Sequence, residues 1–207
     1  MMSTPAVPRL VLASTSPYRR QVLERLGLPF AVARPDFDER QPLPPGVDTI
    51  AATALHLAHG KARAVASLPE HADAWVIGSD QICELDGEIL HKPGDHAAAQ
   101  AQLARLQGRA HRLVTAVAIH APHGQADAVD VHTLLMRPLT TGQIAAYLAA
   151  DEPYDCAGSY RIERRGVALF ARIDADPECA DDSAIMGLPL WKTVRALGRL
   201  GFDLLGP

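Results

Sequence analysis

"RLVLASTSPYRRQVLERLG", Arg9 to Gly27, decides the fold class. "RLVLAS" is a short apolar run of the kind that forms a buried strand. It gives way at once to Ser16-Pro17, a helix cap followed by a residue suited to the first helical position, and Gly27 supplies the stop. A strand that turns straight into a helix is the first unit of an α/β fold. One feature of the helix is odd. Arg19 and Arg20 sit near its N-terminus, where the dipole favours negative charge. A compensating anion is expected there, and free N–H groups at a helix start suit phosphate. The two arginines project about 100° apart, so both are not expected to face one ligand. A plain cap with two solvated arginines explains the stretch, taken alone, equally well.

The pattern continues outward. "FAVAR" (30–34) reads as a second strand and "PDFDERQPLPPG" (35–46) as a Pro-rich acidic loop. Asp48 is expected to cap a long alanine-rich helix to about Leu68. "AWVIGSD" (74–80) reads as a buried strand ending in a carboxylate, and "ICELDGEIL" (82–90) as a hairpin turning at Asp86-Gly87. A helix over 95–106, paired strands over 111–121 and 127–137, and a helix near 141–150 follow. Short strands are expected between Cys156 and Ile173. "LPLWKTVRALGRLG" (188–201) closes the chain as a helix, with Trp191, Val194 and Leu197 at core spacing. The alternation gives an α/β fold with a mixed sheet flanked by helices and no internal repeat.

With 207 residues, 48% of them hydrophobic, the chain suffices for one domain spanning 1–207. A net charge of −4 argues against a general nucleic-acid surface. Cys83, Cys156 and Cys179 have no CxxC spacing, which argues against a zinc site or disulfide framework and fits a reducing compartment. The start "MMSTPAVPRLVLAS" lacks the pattern of a signal peptide, and no run approaches the roughly 18 apolar residues of a membrane span. A cytoplasmic protein with neither nucleic-acid nor membrane partners is expected.

Chemistry concentrates in "GSDQ" (78–81). Gly78 permits close backbone approach. Asp80 is expected where a buried strand runs out, at the sheet edge where α/β proteins place ligands. A carboxylate there holds a metal or accepts a proton from water, although a capping role is also common. Asp36, Asp38 and Glu39 form either a magnesium clamp or a solvated acidic loop. Lys61 on the long helix and Lys92 in "HKPG" are weak signals singly. Together such carboxylates and cations make a magnesium–phosphate site. His56 and His59 lack a third partner nearby and read as a surface or half-buried pair. No P-loop or GxGxxG occurs, and Ser14, Ser16 and Ser159 lack a G-x-S-x-G context.

The set "LASTSPYRR", "DFDE", "HGKARA", "VIGSDQ", "HKP", "CAGSY" and "GLPL", in that order from about residue 9 to 200, resembles the Maf-like nucleotide pyrophosphatases. The resemblance implies a fold related to the inosine-triphosphate pyrophosphatases, two lobes around a central cleft. It also implies hydrolysis of a nucleoside triphosphate to monophosphate and pyrophosphate with a divalent cation, Mg2+ or Mn2+. Carried over by position, Asp80 matches the general base and, with Glu39, a metal ligand. Ser16, Arg19, Glu39, Lys61 and Lys92 match the other phosphate and metal positions. Tyr18, Gln81 and Glu163 match the three specificity positions and resemble the 7-methyl-GTP subfamily. The branch acting on dTTP and UTP carries an arginine at the position of Tyr18. "DDSAIMGLPL" lacks the asparagine usual before "GLPL", leaving Ser183 as the candidate to replace it. Two other readings stand beside this one: a dTTP/UTP pyrophosphatase, and a non-catalytic nucleotide sensor regulating septum formation. A homodimer is left open.

Overall fold

The computed structural model describes residues 8–205. β1 (Leu10–Ala13) is buried along its length and lies parallel to β2 (Phe30–Ala33) on one side and β3 (Trp75–Leu85) on the other. It leads into α1 (Pro17–Glu24), where the Ser16 side chain accepts from the Arg19 amide. The pairing then turns antiparallel through β5 (Ala110–Ala121), β6 (Gly124–Met136) and β7 (Phe170–Asp174). The order is β2-β1-β3-β5-β6-β7, with the short β4 (Glu88–Leu90) folded back on β3. Four further helices flank this mixed sheet: α2 (Ile50–Ala66), α3 (His96–Leu106), α4 (Thr141–Asp151) and α5 (Leu190–Arg199). None of the described helices is long and apolar enough to cross a membrane.

The strand carrying Asp80 does not end there, contrary to the sequence expectation. β3 continues to Leu85, because β5 pairs with it without a break from Val76 to Glu84. The polar run Ser79-Asp80-Gln81 interrupts the apolar pattern but not the backbone ladder. What changes is the opposite edge of β3. β1 leaves after Leu12 pairs with Ile77, and β4 begins only where Leu90 pairs with Cys83. Residues 78–82 therefore have no neighbouring strand on that edge among the described residues. Asp80 lies within a gap in the sheet rather than at the end of a strand.

Two apolar cores on the α1/α5 side flank the gap. One joins β1, α1 and the first half of β3 to α5, through Leu12, Leu23, Ile77 and Leu197. The other joins the far half of β3 to α3 and α4, through Leu85, Leu103 and Leu148. α2 covers the other face of the sheet, with Ala54 and Ala58 on Ile82 and Ala116.

Three local expectations also need correction. Thr49, not Asp48, caps α2, its side chain accepting from the Ala52 amide. Between Cys156 and Leu169 the chain forms two 3₁₀ turns, Ala157–Ser159 and Arg165–Leu169, and β7 is the strand of that region. On α5, Trp191 is exposed while Lys192 and Thr193 are buried, because Lys192 answers carboxylates beneath it rather than solvent.

Candidate active site

Two close approaches build the charged side of the gap. α2 lies so near β3 that a Cβ on Gly78 would stand 2.3 Å from the Ala58 carbonyl oxygen and 2.7 Å from the Ala62 nitrogen. This sets Lys61 over the strand, where its Nζ donates to Asp80 Oδ1 at 2.6 Å. Both residues are 6% exposed. The second approach is at Gly60, where a Cβ would fall 2.3 Å from Cζ of Phe37. Phe37 seats the 35–46 loop, and Glu39 Oε1 comes to 3.1 Å from Lys61 Nζ. Asp38 does not join them. Its carboxylate takes the Arg40 amide at 3.1 Å and the Arg40 Nε at 3.2 Å. Of the loop's acidic residues, Glu39 is the one that forms an ion pair with Lys61.

Successive strand residues face opposite sides. Gln81 therefore faces away from Asp80, toward α1 and the segment before α5. Its Nε2 donates to Thr115 Oγ1 at 3.1 Å, to the Ala184 carbonyl at 2.8 Å and to the Ile185 carbonyl at 3.0 Å. Ser79, on the same face, donates toward the Gly187 carbonyl at 2.9 Å. Arg19 Nε donates to that same carbonyl at 2.9 Å. Residues 184–187 are thereby held in place, and 185–187 form one wall of a cavity that Ser16, Tyr18, Arg19, Gln81, Lys92 and Glu163 also line. Arg20 turns away, paired in solvent with Glu24 at 2.8 Å.

Arg19 links the two faces. Burial works against its charge, and Asp80 and Glu39 lie near enough to oppose that effect. The structure therefore brings together the nine residues expected from sequence as two subsets across one strand. Asp80, Lys61 and Glu39 stand on the α2 face. Ser16, Tyr18, Arg19, Gln81, Lys92 and Glu163 stand around the cavity on the other.

The sequence reading missed Asp155 and Arg161, which line the same cavity. The motif "CAGSY" lies between them, so adjacency was the available signal. Ser183, the candidate to replace the missing asparagine, is fully buried and accepts from the Leu190 amide at 2.8 Å. With Asp181, which accepts from the Trp191 amide at 2.8 Å, it caps α5. His56 and His59 are both half-buried, as expected, but His59 has partners that the sequence did not show: its ring contacts His120 at 3.0 Å and Asp127 at 2.9 Å.

The acidic groups suit a divalent cation in a particular way. Among the described residues no cluster of three or more His, Cys, Asp or Glu forms a complete protein cage. Magnesium commonly takes one or two carboxylates and completes its shell with substrate phosphate oxygens and water. Asp80 and Glu39, gathered on one lysine, match that pattern. Lys61 engages Asp80 through Oδ1, leaving Oδ2 as the oxygen for a further partner.

A sheet opened along one strand, with a buried lysine–aspartate pair on one face and a helix N-terminus with its arginine on the other, makes this an α/β protein with a charged site at a break in its sheet. The chain belongs to the Maf-like protein family, whose model matches residues 9–200. It is 48% identical over 200 residues to the 7-methyl-GTP pyrophosphatase of Xanthomonas campestris pv. campestris strain 8004, covering 96% of this chain and 99% of that one. It is likewise 48% identical over 200 residues to the protein of the same name from Thiobacillus denitrificans, covering 96% of this chain and 95% of that one. Among solved structures, the Staphylococcus aureus Ham1 protein overlaps 62% of this chain and 71% of its own, at 18% identity and a TM-score of 0.41.

Proposed function

We propose that this chain is a nucleoside triphosphate pyrophosphatase acting on 7-methyl-GTP, releasing the monophosphate and pyrophosphate. The observation that carries the reading is the sheet gap, where a buried Lys61–Asp80 pair meets Arg19 and the start of α1 across a single strand. Its near-full-length relatives bear the same activity in their names.

The residues divide the work. The N–H groups at the start of α1 and the Ser16 hydroxyl receive phosphate oxygens, where the helix end favours negative charge. Arg19 grips phosphate through its guanidinium, and Lys61 and Lys92 neutralise charge on the transferring group. Asp80 accepts the proton of the attacking water at its carboxylate. Asp80 and Glu39 would hold a divalent cation, Mg2+ or Mn2+, which would supply charge neutralisation and orientation of phosphate oxygens. On the other face, Glu163 accepts from the N1–H and amino group of a guanine. Uracil and thymine offer no such donor pair and would leave the carboxylate poorly matched. Tyr18 presents its ring beside the base, where the positive charge of 7-methylguanine favours an aromatic face. Gln81 shapes this subsite by holding the 184–185 backbone, its amide nitrogen being committed there.

The reading makes residues 1–207 one domain whose two cores flank the cleft, in a cytoplasmic enzyme. Pyrophosphate release from 7-methyl-GTP, followed with divalent cation present and after chelation, is the test. Release that requires the cation is expected. Tight nucleotide binding without release would replace the enzyme with the sensor.

A further inference from the structure

A polar bridge crosses the base cavity from α4 to α1. Its anchor is Arg161. The guanidinium donates to the last carbonyls around α4, Asp151 at 2.9 Å and Glu152 at 3.2 Å. Such carbonyls lack partners within the helix, and a basic side chain satisfies them. The Arg161 amide donates to Tyr147 Oη at 3.0 Å, so side chain and backbone are both tied to α4. The guanidinium also reaches Asp155 Oδ1 at 2.9 Å. Asp155 in turn receives the Tyr18 hydroxyl, 3.3 Å from each carboxylate oxygen. The Arg161 guanidinium carbon stands 5.6 Å from the Tyr18 ring centroid. α4 belongs to one core and α1 to the other, so this bridge spans the cavity between them.

Capping α4 requires neither Asp155 nor Tyr18. An exposed tyrosine hydroxyl finds water, and the ring needs no carboxylate to stay solvated. Here the hydroxyl is held on a carboxylate that is itself held by an anchored guanidinium. The ring of Tyr18 is therefore fixed at the hydroxyl end, with the guanidinium near its face. Arg161 also opens the segment that carries Glu163 two residues later. One pair thus sets both side chains to which base selection is ascribed. The charge state agrees: burial pushes the Asp155 carboxyl upward, but hydrogen bonds from Arg161 and Cys156 outweigh it and hold it below its ordinary range.

We infer that Asp155 and Arg161 are positioning residues for base selection, fixing the Tyr18 ring through the Tyr18 hydroxyl and fixing the approach to Glu163. The inference rests on the pyrophosphatase reading above, but its test does not depend on which base is preferred.

The experiment is a double-mutant cycle with Tyr18→Phe and Asp155→Ala. kcat/KM is measured for 7-methyl-GTP, GTP and UTP, and the readout is the ratio of the best substrate to the poorest. Each single variant should lower that ratio about five- to tenfold, the scale of one ordinary net hydrogen bond, since the contact is long at 3.3 Å. The double variant should be no worse than twofold below the poorer single, because both remove the same bridge. Asp155→Asn keeps an acceptor for the hydroxyl and should retain most of the ratio. Two results overturn the inference: fully multiplying effects, or an unchanged ratio, including the case of an equal fall for every substrate, which would mark a merely structural contact. Preference of the wild type for UTP would instead overturn the 7-methyl-GTP reading, while the cycle on the UTP ratio still decides the role of Asp155.

Discussion

Two lysines are buried against carboxylates in this molecule, and they have different meanings. Lys61 shares Asp80 and Glu39 at the sheet gap, beside Arg19 and the N-terminal end of α1. Lys192 lies on α5 over β6, donating to the Val129 carbonyl at 2.7 Å and pairing with Asp176 at 3.0 Å. Beneath it Asp130 is fully buried, hydrogen-bonded to His132 at 2.7 Å and 3.7 Å from Lys192. Burial of an ion pair is costly in both places, so burial alone does not mark function. Access does. The Lys61 pair borders a gap where no strand follows on one edge of β3. The Lys192 cluster is closed by the 176–178 segment and ties that segment, which leads to Gly187, onto the sheet.

The largest expected effect falls on the first lysine's partner. Asp80→Asn keeps shape and removes the proton acceptor, and turnover should drop about 10²–10⁴-fold. Thermal stability should fall too, but by less than at the second site, because Glu39 still faces Lys61 and the amide oxygen can still accept from it. A variant with near-normal turnover would remove Asp80 from the chemistry. The matching change at the second site is Lys192→Met, which strands Asp130 and Asp176 without their cation. Breaking a buried pair in this way costs about 3–5 kcal/mol, read by denaturant or thermal melting. The folded variant should still turn over substrate. Loss of turnover without loss of stability would erase the distinction between the two clusters.

The sequence revealed these regions unequally. The strand–turn–helix over residues 9–27 could be read directly, because cap, proline and glycine chemistry is local. The alternation of elements identified the mixed α/β sheet for the same reason. The gap could not be read. Ser79-Asp80-Gln81 looks like the end of a strand because polarity interrupts the apolar run, whereas the ladder to β5 is a long-range property. Lys61 and Glu39 were singled out by type and by resemblance. Their meeting at Asp80 depends on Gly78 and Gly60 admitting close neighbours. The Lys192 cluster left no local trace, since its carboxylates come from a different strand and loop. Helical spacing favoured Trp191 for the core, while Lys192 was the residue that found buried partners.

Smaller effects sharpen the contrast on α1. Arg19→Lys loses the planar fork and should lower kcat/KM about tenfold. Arg20→Ala removes an exposed pair worth roughly 0.3–0.5 kcal/mol and should stay within about twofold. A more damaging Arg20→Ala would mean that the other helix face meets the phosphates.

A separate prediction concerns pH. Burial draws His111 down to about 4, and burial with His59 and Arg63 nearby draws His120 down to about 4. Their unfolded values lie near 6.5, so between about 6.5 and 4 the unfolded chain binds more protons. Stability is therefore complete above about pH 6.5 and is lost as pH falls toward 4. Melting curves across that window should show the decline, and His111→Gln should flatten it. A melting temperature independent of pH would contradict the depressed values.

The most direct measurement is kcat/KM for 7-methyl-GTP, GTP, UTP and dTTP, by pyrophosphate release, in the wild type and in Glu163→Gln. The wild type should prefer 7-methyl-GTP, and Glu163→Gln should lose most of that preference while keeping general triphosphate hydrolysis. Equal or better wild-type activity on UTP or dTTP would contradict the account and place the chain with the pyrimidine enzymes.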